Sequence, residues 1–262
     1  MRRVGVVVVV VVVAVCSTVM SCGDDGDESD DAPPTVAASQ SAGSSASPTA
    51  ATSEPSPSVD AAADQESAEE ALLVLADFPA GWSELPERDR SAEDEAVLRT
   101  VAACAGAEGT SAIDVGGALA RTGNFTSPSG AAIAETVSVA PSEEEAAARA
   151  TAVADAGFAS CAGEAYQDWA EQAVTDEDTE IGAITVAPLN VSNVGAATVA
   201  YRVTIPFESD GTSAGEVYAD LVVVQAGRAL AGLLFQSELA PFPIDETKHY
   251  VALATERLGQ AS

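Results

Sequence analysis

"VYADLVVVQAGRALAGLLFQS", residues 217–237, decides the fold. Two apolar runs flank Gln225-Ala226-Gly227-Arg228. Both runs are rich in β-branched or large aliphatic residues, which suit a pleated, half-buried surface. Gly227 supplies the positive φ that a tight hairpin turn needs. The stretch therefore reads as an antiparallel hairpin, which places a sheet of hairpin-linked strands at the centre of the domain.

The flanking segments extend that sheet. In "TVAYRVTIPF" (198–207), Val199, Tyr201, Val203, Ile205 and Phe207 alternate with Arg202 and Thr204, the period of a strand with one buried face. "AAIAETVSVA" (131–140) puts Ile133, Glu135, Val137 and Val139 on one face, where Glu135 interrupts an otherwise apolar row. "EIGAITVAPL" (180–189) predicts a further strand.

Helices occupy the remainder. "SAEDEAVLRTVAACAG" (91–106) has Ser91 as N-cap with Asp94 three residues on, and Val97, Val101 and Cys104 share a face. "PSEEEAAARATAVADAGF" (141–158) is capped by Ser142, with Glu145 closing the box. Its three acids meet the positive end of the dipole and Gly157 is expected to stop it. Cys161 precedes a third helix in "GEAYQDWAEQA" (163–173), where Tyr166, Trp169 and Ala173 share a face. "DETKHYVALATERL" (245–258) closes the chain, capped by Asp245 and packed by Tyr250, Val251, Ala254 and Leu258. "AEEALLVLADFPAGWSEL" (68–85) opens as a short helical turn or strand, and Trp82 reads as a core anchor at the sheet edge. Grouped helices beside hairpin-linked strands predict an α+β domain, an antiparallel β-sheet with helices packed on one face.

The amino-terminal part is different. Met1-Arg2-Arg3 precedes the apolar run Val4–Val15, short of the roughly 20 residues that span a bilayer but of signal-peptide length. Val19-Met20-Ser21-Cys22 resembles a bacterial lipobox, with an aliphatic residue at −3, a small residue at −1 and then Cys. That resemblance implies cleavage before Cys22 and fatty acylation (palmitate-class chains) of Cys22. An ordinary secretory signal and an uncleaved anchor are the alternatives. Residues 1–21 are thus expected to be a lipoprotein signal peptide. Residues 22–66, acidic and then rich in Ser, Ala, Thr and Pro, are expected to be a disordered tether, since they hold too little apolar surface to offset chain entropy. Residues 67–262 form the folded domain.

The formal charge is −30, and Lys248 is the one lysine. Such a surface repels phosphate backbones, which excludes nucleic acid as a partner and favours cationic ones. Of four cysteines, Cys16 leaves with the signal and Cys22 takes the lipid. Cys104 and Cys161 remain, and in an exported protein such a pair is expected to form a disulfide, the alternative being buried free thiols. Two distant cysteines and one histidine make no zinc site. Asp176, Asp178 and Glu180 alternate like calcium ligands, but Gly182 falls one place late for an EF-hand loop and the closing Glu is missing. His249 is the sole candidate for a catalytic imidazole base and reads as a surface or groove-edge residue. No catalytic residue, metal or cofactor is assigned.

Four segments carry a family resemblance: "LADFPAGW" (75–82), "SEEEAAARATAVADAGFASCAGEA" (142–165), "DLVVVQAGRALAGLLF" (220–235) and "APF" (240–242). They resemble the sensor-domain-like lipoproteins of actinobacteria, related to the extracellular domains of PknH-type kinases and, more distantly, to LpqN/PsbP-like lipoproteins. The resemblance implies an antiparallel sheet with flanking helices and a cleft, and ligand sensing outside the cell. The expected protein is therefore a lipid-anchored module on the extracytoplasmic face of the cell membrane, without catalysis, that takes a small apolar or cell-wall ligand in its sheet–helix cleft. The alternative is a module that docks on another envelope protein.

Overall fold

The fold is described from a computed structural model covering residues 60–86, 91–174, 179–191, 197–209, 211–238 and 240–261. The expected signal peptide, Cys22, residues 23–59, Asp176 and Asp178 lie outside the described residues.

In chain order the elements are α1 (Ala61–Glu70), β1 (Ser83–Leu85), α2 (Ala92–Cys104), β2 (Ala118–Arg121), β3 (Asn124–Thr126), β4 (Ala132–Val139) and α3 (Glu143–Ala154). They continue with α4 (Ala156–Ala173), β5 (Thr179–Ile181), β6 (Thr185–Pro188), β7 (Ala197–Ser209), β8 (Thr212–Ala226), β9 (Ala229–Glu238) and α5 (Ile244–Ala261). A single 3₁₀ turn, Leu75–Asp77, lies between α1 and β1. All strand pairs are antiparallel, in the order β1-β3-β4-β9-β8-β7-β5, with β2 also on β4 and β6 also on β7. The α+β reading with an antiparallel sheet holds. The β8–β9 hairpin forms its heart, Ala226 pairs with Ala229, and Gly227 turns at φ 53°.

Helices cover both faces of this sheet, not one. Val222 and Val224 of β8 join Ala229, Ala231, Leu233 and Phe235 of β9 in a core with α1 and α5. Val217, Ala219 and Val223 join Tyr201, Val203 and Ile205 of β7 in a second core, under α2, α3 and α4. Side chains alternate across a strand, and here both sets are apolar. That requires a layer on each side, because neither face can be left to water.

Local chemistry sets the helix ends. Ser91 Oγ accepts from the Asp94 N–H at 3.1 Å, and Ser142 Oγ accepts from the Glu145 N–H at 3.2 Å. The expected stop at Gly157 is wrong. Asp155, extended at ψ 139°, ends α3 and caps α4, its carboxylate accepting from the Gly157 N–H at 2.7 Å. The Tyr201 hydroxyl donates to the Val153 carbonyl at 2.9 Å, satisfying one of the carbonyls left open at the end of α3. Cys161 therefore lies inside α4 rather than before it.

The boundary expected at residue 66 also moves. Asp60 caps α1 by accepting from the Ala62 and Ala63 N–H groups, and Asp64 is buried against Arg228 at 2.6 Å. Residues 61–66 are helical and belong to the domain. Cys104 and Cys161 are paired, with Cα atoms 5.7 Å apart, joining the end of α2 to α4. Among the described residues no helix is long and apolar enough to cross a membrane.

Candidate functional site

Among the described residues, cavities lie on both sides of the sheet. The first lies on the α2–α4 side and has a volume of about 150 Å³. Val199, Leu221 and Leu234 from the sheet floor it, Leu98 and Val101 of α2 wall it, and Ile113 reaches in from the loop after α2. Gly232 leaves the floor low, where a side chain would meet Ile113. Polar groups are few. Thr110 accepts from the Arg121 guanidinium at 2.9 Å along one edge. Tyr166, 5% exposed, makes no hydrogen bond to another described residue, and burial pushes its hydroxyl up to about pKa 12. The Tyr166 hydroxyl is thus a neutral donor on a residue that lines an apolar cavity, where a few polar groups can fix the orientation of a ligand.

The second cavity is an open groove of about 880 Å³ at the far end of the α1–α5 side. Phe78 sits at its floor, its ring 4.4 Å from Phe125 and 4.9 Å from both Trp82 and Tyr250. Trp82 is half-buried against this cluster, as expected of a core anchor at the sheet edge, yet it also lines the groove. His249 is exposed on the rim, 5.2 Å from the Tyr250 ring. Ser127 and Ser129 line the same groove, but Ser127 Oγ lies 2.9 Å from Ser129 Oγ and accepts from the Ala131 N–H. Among the described residues no hydrogen bond joins His249 to a serine or a carboxylate.

The sequence also contains a G-x-S-x-G string, Gly211–Gly215. It forms the β7–β8 turn, with exposed Ser213 opposite Glu208. A nucleophile elbow needs a strand turning into a helix, so this string is a hairpin. Glu180 lies exposed in β5, and among the described residues no group of three His, Cys, Asp or Glu side chains is placed to hold a metal.

Among the described residues, three ion pairs brace the α1–α5 side: Arg202 with Asp220 at 2.6 Å, Arg228 with Asp64, and Arg257 with Asp77 at 2.7 Å. Near the last of these, Glu135 is 2% exposed on β4. One of its oxygens accepts from the Leu73 N–H at 2.6 Å and the other has no partner. Burial, opposed by the Leu73 bond and Arg257, raises its pKa from 4.5 to about 7. The folded state therefore binds this proton more tightly than the unfolded chain. Stability falls as pH rises from 4.5 to about 7 and levels off above it. Glu135→Gln is expected to remove this dependence. Denaturant melts at pH 4.5 and about pH 8 should show the stability difference between wild type and variant changing by about 3 kcal/mol, in favour of the variant at the higher pH. Parallel pH profiles would contradict the assignment.

Comparison of the chain with protein-family models and with curated proteins returns no match.

Proposed function

We propose that this chain is a lipid-anchored extracytoplasmic module that binds a small apolar or cell-wall ligand without catalysis. The observation that carries the reading is the apolar cavity between sheet and helices, with the Tyr166 hydroxyl as its spare donor. A cavity of about 150 Å³ takes a benzene-sized group, so a larger ligand would insert one apolar end and leave the rest in the mouth beside Thr110 and Arg121. The leader and Cys22 support the anchor, because two fatty chains suffice for stable membrane attachment.

Two experiments test the reading. Ala134 lines the cavity from β4, and Ala134→Met is expected to fill it. Native mass spectrometry of protein purified from the envelope should find an apolar adduct on wild type that is reduced at least tenfold on the variant. Bare wild-type protein that also fails to bind apolar probes would contradict it. For the anchor, wild type is expected in the detergent phase on phase partitioning and Cys22→Ala in the aqueous phase. Equal partitioning rules the anchor out.

A further inference from the structure

The groove on the other face has a chemistry of its own. Pro79, Pro128 and Pro243 line it together with the Phe78, Trp82 and Tyr250 rings. Aromatic-lined grooves accept a polyproline II segment, whose stiff, extended form is already ordered before binding. That helix makes no internal hydrogen bonds, so its carbonyls need outside donors. The groove supplies one in Tyr250, which is 2% exposed and whose hydroxyl has no hydrogen-bond partner among the described residues. The Trp82 indole N–H is likewise unbonded to any described residue.

Charge narrows the occupant. The lining holds no Lys or Arg. Asp77 is neutralised by Arg257, but Asp245 and Glu246 are exposed on the rim and make no ion pair among the described residues. The chain's own proline-bearing stretch, residues 23–59, contains acids and no Lys or Arg, so this rim repels it. We propose that the groove docks an extended, proline-rich segment of a partner protein that carries Arg or Lys beside its prolines. This site is separate from the apolar cavity, and its failure would leave the ligand reading standing.

The test is fluorescence anisotropy with full-length protein in detergent and a labelled peptide of repeated Pro-Pro-Arg triplets. Saturable binding at one site is expected, weakening as salt rises. Peptides of Pro-Pro-Glu and of Ala-Ala-Arg triplets should bind at least tenfold more weakly, the first lacking the charge and the second the preformed helix. Tyr250→Phe keeps the ring and removes the donor, and should weaken binding about fivefold with an unchanged melting temperature. Asp245→Asn with Glu246→Gln, both on the surface, should weaken binding several-fold and flatten the salt dependence. Equal binding of Ala-Ala-Arg would reduce the effect to general attraction by an acidic surface and overturn the proposal. Tighter binding of Pro-Pro-Glu would point to the chain's own tether and also overturn it, as would no saturable binding of Pro-Pro-Arg.

Discussion

Arg202→Met is expected to destabilise the folded body by about 3–5 kcal/mol, measured by urea unfolding. Arg202 on β7 and Asp220 on β8 face each other directly in the ladder. The guanidinium grips both carboxylate oxygens, at 2.6 and 2.7 Å, and the Asp220 side chain is fully buried. Removing the arginine leaves that carboxylate without its counter-charge in the middle of the sheet. The expected loss is therefore mostly the penalty of an unpaired buried charge, not the net worth of the pair. The double variant Arg202→Met with Asp220→Leu separates the two, and should recover at least half of the loss because two apolar side chains can replace a buried pair at little cost. A single-variant loss under about 1 kcal/mol would mean that water reaches Asp220.

Breaking the Cys104–Cys161 bond, by reduction or by a double Cys→Ala variant, is expected to cost about 4 kcal/mol. That is the chain-entropy value for the 57-residue separation that the bond closes. For a body of this size it corresponds to a fall in melting temperature of roughly 8–16 °C. The loss should be uneven. α2 rests chiefly on α4, and the disulfide is what ties the end of α2 to it. Hydrogen exchange in the α2 amides should rise before exchange in β8 and β9. Because Leu98 and Val101 of α2 wall the apolar cavity, reduction should also weaken ligand binding. Unchanged exchange in α2 after reduction would show that its packing alone holds it.

The hairpin, the β7 alternation, the Ser91 and Ser142 caps and the cysteine pair were all legible because each is written in local sequence or in a short count. The second helical layer has its own signal in the sequence. "LVVV" and "ALAGLLF" in residues 217–237 are nearly continuous apolar runs, which mark strands buried on both faces. Such strands need a second layer, which α1 and α5 supply. α1 itself gives almost no apolar signal. Its "AAADQESAEE" packs through small Ala68 and through Asp64, whose partner Arg228 lies in the distant hairpin turn. Glu135 stands out in the sequence as a flaw in an apolar row, but its burial depends on a loop, around Leu73, far away in the chain.

The sites divide in the same way. Trp82 and His249 could be singled out by residue type. Their meeting in one groove could not, because that groove gathers residues 77–82, 127–131 and 242–250 from three separate loops and helix starts. A sheet–helix cleft follows from the family resemblance alone, and in the sequence Tyr166 reads only as a packing residue of its helix face. Its unbonded hydroxyl is visible only once the surrounding side chains are placed.

A methyl NMR titration of the folded protein with benzene tests ligand binding at the apolar cavity most directly. Saturable shifts at Leu98, Val101, Ile113, Val199, Leu221 and Leu234, lost in Ala134→Met, are expected. Absent shifts, or shifts that persist unchanged in Ala134→Met, would contradict it.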